Sequence, residues 1–204
     1  MASMLKIDLF KDLKNEYASP RSPVLVEIGK ASYLAVDGRG EPGGKEFQTK
    51  IGALYGMAYT VKMTRKFEGR QDYVVGKLEA QGWSDEGGDF SRVPKSKWRW
   101  KLMIRTPDFV GTSEVRRAAE TLKKRGKGDS VDEVAMEKLE EGECVQMLHV
   151  GPYEREGDTV AAMKKFAESK GRTFHGRHHE IYLSDPRRVA PEKLKTILRM
   201  PVKC

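Results

Sequence analysis

One succession of structural signals runs along this chain twice, and it limits the fold more than any single residue does. In the first pass, Val24 to Ile28 and Ser32-Tyr33-Leu34-Ala35-Val36-Asp37 read as strands. The turn-forming run Gly38-Arg39-Gly40-Glu41-Pro42-Gly43-Gly44 stops the second of them. A helix follows from Lys45 to Gly56, with Phe47, Ile51, Leu54 and Tyr55 on one stripe, and Met57 to Met63 then alternates as a strand. Beyond a polar stretch containing Gly76, Gly82, Gly87 and Gly88, the segment Trp98 to Arg105 sets Trp98, Trp100, Leu102 and Ile104 on one face and ends at Pro107. In the second pass, Cys144 to Val150 is a strand stopped by Gly151-Pro152, Thr159 to Lys170 an amphipathic helix, and His178 to Leu183 a strand ended by Asp185-Pro186. The closing phrases align, Leu102-Met103-Ile104-Arg105-Thr106-Pro107 against Ile181-Tyr182-Leu183-Ser184-Asp185-Pro186. Two copies make a pseudo-duplicated domain, whereas a solenoid needs at least three units.

The expected organisation is therefore one α+β domain over 1–204, with a first half-repeat at 24–107 and a second at 142–204. A helical connector over 108–141 joins them, Thr112 to Arg125 with a Gly126 stop and a second short helix from Val131 to Glu141. A groove between related halves is a natural ligand site. Ahead of the repeats, Leu5, Leu9 and Leu13 recur at spacing four, so Lys6 to Tyr17 reads as a short helix broken by Ser19-Pro20-Arg21-Ser22-Pro23. That stretch is too short for a helix-turn-helix domain.

With 204 residues, the chain can bury a core without staples. Its two cysteines, Cys144 and Cys204, match no disulfide, zinc or redox spacing, and a reducing, cytoplasmic compartment fits. The start Met1-Ala2-Ser3-Met4 lacks the basic and apolar regions of a signal peptide, and no apolar run is long enough to span a membrane, so neither export nor a membrane partner is expected. The net charge of +8 invites a nucleic-acid reading. Yet Lys123, Lys124, Arg125 and Lys127 close a helix, where cations meet the dipole, and no DNA- or RNA-binding motif accompanies them. The basic residues read as a solvated surface, without a nucleic-acid partner.

The chemistry concentrates near the C-terminus. In His178-His179-Glu180-Ile181-Tyr182-Leu183, alternation puts His178, Glu180 and Tyr182 on one face and Ile181 and Leu183 on the other. Such a face often meets water. The sharper expectation is a carboxylate at the floor of an aromatic groove, its pKa raised by burial and its position set by a tyrosine. The adjacent histidines point to opposite faces and cannot chelate together, so no metal is expected, and Gly38 to Gly44 lacks the ending of a phosphate loop, so no nucleotide cofactor is expected either. Phe47, Tyr55, Tyr59, Trp98, Trp100, Tyr153 and Tyr182 flank the repeated units and are either core or the wall of a site for a flat apolar or cationic small molecule.

Gly151-Pro152-Tyr153-Glu154, then His179-Glu180-Ile181-Tyr182-Leu183-Ser184-Asp185-Pro186, then Pro191-Glu192-Lys193-Leu194-Lys195-Thr196-Ile197-Leu198-Arg199-Met200-Pro201-Val202 closely resemble the GyrI-like small-molecule-binding family. Tyr33 to Met63 and Trp98 to Val110 resemble the first half of its stand-alone members. The resemblance implies two SHS2-type units, each strand-helix-strand-strand, about a pseudo-twofold, with an extended antiparallel sheet, two principal helices and a groove with a glutamate at its base. That glutamate falls on Glu180, with Tyr182, Tyr153 and Trp100 as wall residues. The family includes ligand-sensing halves of transcription activators, gyrase inhibitors, and stand-alone proteins that hydrolyse the cyclopropane ring of DNA-alkylating cyclopropanoid toxins. The last are the most similar in form and imply a hydrolase that needs no metal or organic cofactor. Nothing in the sequence suggests a surface for DNA gyrase, and a multidrug sensor or sequestering protein is the non-catalytic alternative.

Overall fold

The computed structural model describes residues 5–86 and 93–204. Met1 to Met4, and Gly87 and Gly88 of the polar stretch, lie outside the described residues. The fold is α+β, an antiparallel sheet with a few helices, and it divides into two compact units, each assembled from separated stretches of chain.

The first unit holds residues up to Asp12, Ala31–Leu78 and Gly82–Leu139. Strand β2 (Ala31–Arg39) pairs antiparallel with β4 (Trp98–Thr106) on one side and β5 (Ala135–Leu139) on the other. Helix α2 (Lys45–Phe67) packs on β2 and β4, and α3 (Thr112–Lys124) packs on α2. Before β2 stands the single-turn α1 (Leu9–Asp12), shorter than the helix expected from Lys6 to Tyr17.

Three expectations fail here. Lys45 to Phe67 is one continuous helix, although Met57 to Met63 alternates like a strand. Its buried positions Phe47, Lys50, Leu54, Met57, Val61 and Arg65 recur every three or four residues, and Gly56 continues the helix because its bare face receives Leu122 of α3. The strand after α2 is instead β3 (Leu78–Ser84), inside the stretch read as polar. The second connector helix does not form, since Val131–Glu133 makes a single 3-10 turn and Ala135–Leu139 becomes β5. A segment this short is marginal as a helix, whereas pairing with β2 satisfies its backbone groups.

Gly38 stands opposite Trp100 in the β2–β4 ladder, and a Cβ there would lie 2.0 Å from the indole ring. The Trp100 ring fills the space a side chain would occupy, and Phe47 meets it edge-on at 4.9 Å. Gly38→Ala is therefore expected to destabilise the protein by roughly 1–3 kcal/mol through overpacking, read from the urea midpoint. A loss under about 0.5 kcal/mol would show that the indole can move aside.

The second unit holds Leu13–Lys30, Glu79–Gln81 of β3, and Glu140–Cys204. Its strand order is β1 (Val24–Ile28), β6 (Gly142–Val150), β9 (Lys195–Lys203), β8 (His178–Tyr182), with β7 (Thr173–Phe174) also on β9. Helix α4 (Glu156–Ser169) covers one face, where Val145, Met163, Ala167, Leu198 and Val202 form a closed apolar cluster.

In chain order β2, α2, β3 and β4 follow one another, as do β6, α4, β7, β8 and β9; β4 pairs antiparallel with β2, and β9 with β6. The closing phrases align β4 with β8, whereas the strand that pairs with β6 is β9. Among the described residues, no helix is long and apolar enough to cross a membrane.

Candidate active site

The register of the second unit determines which side chains meet. Leu198 pairs with Met147 of β6 and with Glu180 of β8, so Glu180 projects from the face that α4 covers. By the alternation of β8, His178 and Tyr182 share that face, as the sequence predicts. Arg199 pairs with Gln146 and with His179, so those three project from the opposite face. One strand thus serves two polar systems on its two sides.

On the α4 face, the Tyr182 hydroxyl donates to Glu180 Oε2 at 2.7 Å, and His178 Nε2 lies 3.4 Å from Glu180 Oε1. The Tyr153 ring meets Tyr182 edge-on at 5.8 Å. Tyr153 is placed by the turn ahead of α4. Gly151 there has φ 142, a conformation suited to glycine. His149 anchors the turn, with Nε2 3.2 Å from the Pro152 carbonyl and Nδ1 2.8 Å from the Thr159 hydroxyl. Since a carbonyl can only accept, Nε2 carries the hydrogen in that contact.

The same turn introduces Glu156, the first residue of α4. Its Oε1 is shut off from solvent and has no hydrogen-bond partner among the described residues. Donor atoms of Glu156, His178 and Glu180 lie within 4.8 Å of one another.

The two carboxyls are driven in opposite directions. For Glu180, burial favours the neutral acid, but the His178 contact, the Tyr182 hydrogen bond and the charge of His179 outweigh it and hold the pKa below the usual value. The expected upward shift does not occur, because Glu180 has hydrogen-bonding company. For Glu156, burial and then the nearby Glu180 and Glu154 push the pKa up to about 10. The helix N-terminus favours its ionised form, but by only about 0.3–1 kcal/mol, under one pKa unit, so it does not reverse the shift. The surroundings thus favour the ionised form of Glu180 and the protonated form of Glu156. Two carboxyls with pKa values pushed apart are the usual equipment of paired base and acid chemistry.

On the opposite face lies a buried charge network. His179 is wholly buried, with Nδ1 2.9 Å from Glu141 Oε2 and Nε2 3.0 Å from Glu79 Oε2. Arg199, 1% exposed, donates to Glu141 at 3.0 Å, to Gln146 at 2.7 Å and to the Glu16 carbonyl at 2.6 Å. The Tyr17 hydroxyl donates to Glu79 at 3.0 Å. With His179 protonated, the network carries two positive and two negative charges and is neutral as a whole.

This pairing makes stability depend on pH. Burial alone would lower the His179 pKa, but attraction and hydrogen bonding from Glu141, then from Glu79, raise it to about 9 from 6.5. Its contribution is complete below about pH 6.5 and is lost as pH rises through 9. Glu141, despite burial, is lowered to about 2 from 4.5, mainly by His179 and then Arg199, so its contribution is present above pH 4.5 and lost as pH falls through 2. The urea midpoint should therefore be flat between about pH 4.5 and 6.5 and should fall on the alkaline side, by on the order of 2–3 kcal/mol in unfolding free energy. His179→Gln should abolish the alkaline slope. An unchanged slope in that variant would assign it to other groups.

The structure thus brings Glu180, Tyr182, Tyr153 and His178 together. The other aromatic candidates belong to the first unit. Trp100, 2% exposed, is packed against Phe47 and Gly38, and its N–H donates to the Gly40 carbonyl. Tyr55 and Tyr59 stack at 6.2 Å on α2, Tyr59 being 53% exposed, and the half-buried Trp98 donates to the Val93 carbonyl. Burial pushes the Cys144 thiol up to about 12, so it stays protonated.

Sequence reasoning missed Glu156, although it follows the quoted Gly151-Pro152-Tyr153-Glu154 phrase by two residues. By proximity, Glu156, His178 and Glu180 could share a cation.

Residues 111–203 match the GyrI-like small molecule binding domain. Among curated proteins, none matches the chain. An uncharacterized conserved protein from Listeria innocua is 41% identical to this chain, over 97% of this chain and 100% of its own, with a TM-score of 0.90. A hydrolase from Listeria innocua is 40% identical, over 97% of this chain and 100% of its own, with a TM-score of 0.87. The C-terminal domain of EcmrR, 11% identical over 89% of this chain and 97% of its own, shares the fold at a TM-score of 0.57. With a domain match over its C-terminal half and two relatives alike along essentially their whole length, this chain belongs to the GyrI-like family.

Proposed function

We propose that this protein binds a small, largely apolar molecule against Glu180 and hydrolyses the activated cyclopropane ring of cyclopropanoid DNA-alkylating toxins, without metal or organic cofactor. The observation that carries this reading is Glu180, held by the Tyr182 hydroxyl, beside Glu156, whose Oε1 is shut off from solvent without a hydrogen-bond partner among the described residues. The full-length likeness to a hydrolase from Listeria innocua supports it. The matching connectivity of the two units, first strand paired with last, supports a duplicated SHS2-type design.

Opening an activated cyclopropane requires water at a ring carbon, a base for its proton and a cavity that fixes the geometry. Glu180 takes the proton. Tyr182 orients that carboxylate, since its hydrogen bond is already committed there. Tyr153 and Tyr182, edge to face, offer ring surface to a flat ligand.

The test is to mix purified protein with a compound carrying an activated cyclopropane and to follow ring-opened product by mass spectrometry. Product beyond one equivalent per protein, above the buffer rate, is expected. Saturable binding without product would sink hydrolysis of that class and leave a sensor or sequestering protein.

A further inference from the structure

Both oxygens of Glu180 have company, Oε2 from the Tyr182 hydroxyl and Oε1 from His178. Glu156, across the same small cluster, has an oxygen sealed from solvent with neither a cation nor an N–H to meet it. A carboxyl so placed beside another is more stable with its proton, and among the described residues its Oε1 has no hydrogen-bond partner. The groups around it point the same way. Glu154 on its own turn and Glu180 opposite disfavour a second negative charge, and the Tyr153 and Tyr182 hydroxyls nearby are themselves held protonated, Tyr153 with a pKa pushed up to about 12. His178 is the remaining titratable member of the cluster, and Asp185 faces Tyr153.

We propose that Glu156 is the second catalytic carboxyl of this site, the proton donor to the carbonyl oxygen that receives the ring's electron pair, working with Glu180 as base; this rests on the hydrolysis reading above. The step applies to the activated class already proposed, in which the cyclopropane is conjugated to a carbonyl. Water oxygen forms a bond to a ring CH2 as one ring C–C bond breaks, and that electron pair moves through the conjugated system onto the carbonyl oxygen. Glu156 gives its proton to that oxygen while Glu180 takes one from the water. The product is the substrate plus one water, and the proton left on Glu180 returns to Glu156 within the cluster, through His178 or a water.

The test compares wild type, Glu156→Gln and Glu180→Gln as full chains, on carbonyl-conjugated cyclopropanes whose ring-opened oxygens differ in acidity. Glu156→Gln is expected to fold with unaltered circular dichroism, because it exchanges an unpartnered buried acid for a neutral amide. Its kcat should fall roughly 10²–10⁴-fold on the substrate with the least acidic such oxygen, and markedly less on the most acidic, with KM within a few-fold. A merely structural role would lower all substrates alike. Independently, isotope-edited infrared spectra at neutral pH should show a protonated carboxyl in wild type and in Glu180→Gln that is missing in Glu156→Gln. Absence of that band in wild type, or a Glu156→Gln rate equal to wild type or reduced equally for every substrate, overturns the donor role while hydrolysis stands. A wild-type protein that turns over none of these substrates overturns the hydrolysis reading, and the donor role with it.

Discussion

Glu180→Gln is expected to lower kcat/KM for an activated cyclopropane by roughly 10²–10⁴, the span of a lost general base. The amide keeps the shape of the side chain and can still accept from the Tyr182 hydroxyl, which now meets Glu180 Oε2 at 2.7 Å. It cannot take a proton from water. Affinity for a neutral apolar ligand should therefore stay within a few-fold of wild type, while a cationic ligand should bind more weakly because its counter-charge is gone. Binding is read by calorimetry and turnover by product accumulation. A variant that keeps wild-type turnover but loses only cation binding would make Glu180 a counter-charge and not a base.

The largest loss of stability is expected from Arg199→Leu. Arg199 stands wholly inside the second unit, with its guanidinium shared among Glu141, Gln146 and the Glu16 carbonyl. Its removal leaves Glu79 and Glu141 facing His179 alone, one buried negative charge in excess, with three acceptors short of a donor. Breaking a buried pair in this way costs about 3–5 kcal/mol, a fall in Tm of roughly 6–20 °C for a chain of this length. Arg187, 86% exposed and paired with Asp185, is the control, and Arg187→Leu should change stability by under about 0.5 kcal/mol. An Arg199→Leu loss below about 1 kcal/mol would mean that water or His179 relieves the network.

The difference between these residues explains what could be read from the sequence. His178, Glu180 and Tyr182 declare a shared face because β8 alternates cleanly, and β6, α3 and α4 carry regular apolar periods. Strand β3 went unseen because Glu79 and Gln81 look solvent-facing; they are buried, with Glu79 held by His179 and Tyr17. A charge paired inside the fold has the same letter as one in water, and only the partners, about sixty and a hundred residues further along the chain, tell them apart. Glu156 was hidden in the same way, as one acidic residue among several opening a helix, where such residues are common. The second half of α2 misled because a short alternating run inside a long amphipathic helix fits both periods, and only packing on β2, β4 and α3 decides.

Two strand-and-helix passages were legible in the sequence, β2 with α2 and β6 with α4. The apolar phrases of β4 and β8 look alike, but β4 pairs with the strand that opens its passage and β8 does not; β9 does. Trp100 packs against Phe47 and Gly38.

Hydrolysis with Glu180 as base is tested most directly by running the reaction in oxygen-18 water with several equivalents of an activated cyclopropane, then weighing both product and intact protein. Catalysis predicts product that carries the heavy oxygen in excess over protein, with the protein mass unchanged and product formation slowed roughly 10²–10⁴-fold for Glu180→Gln. A protein gaining the mass of one substrate, with no labelled product beyond the buffer reaction, would contradict it and show a carboxylate that traps the toxin once.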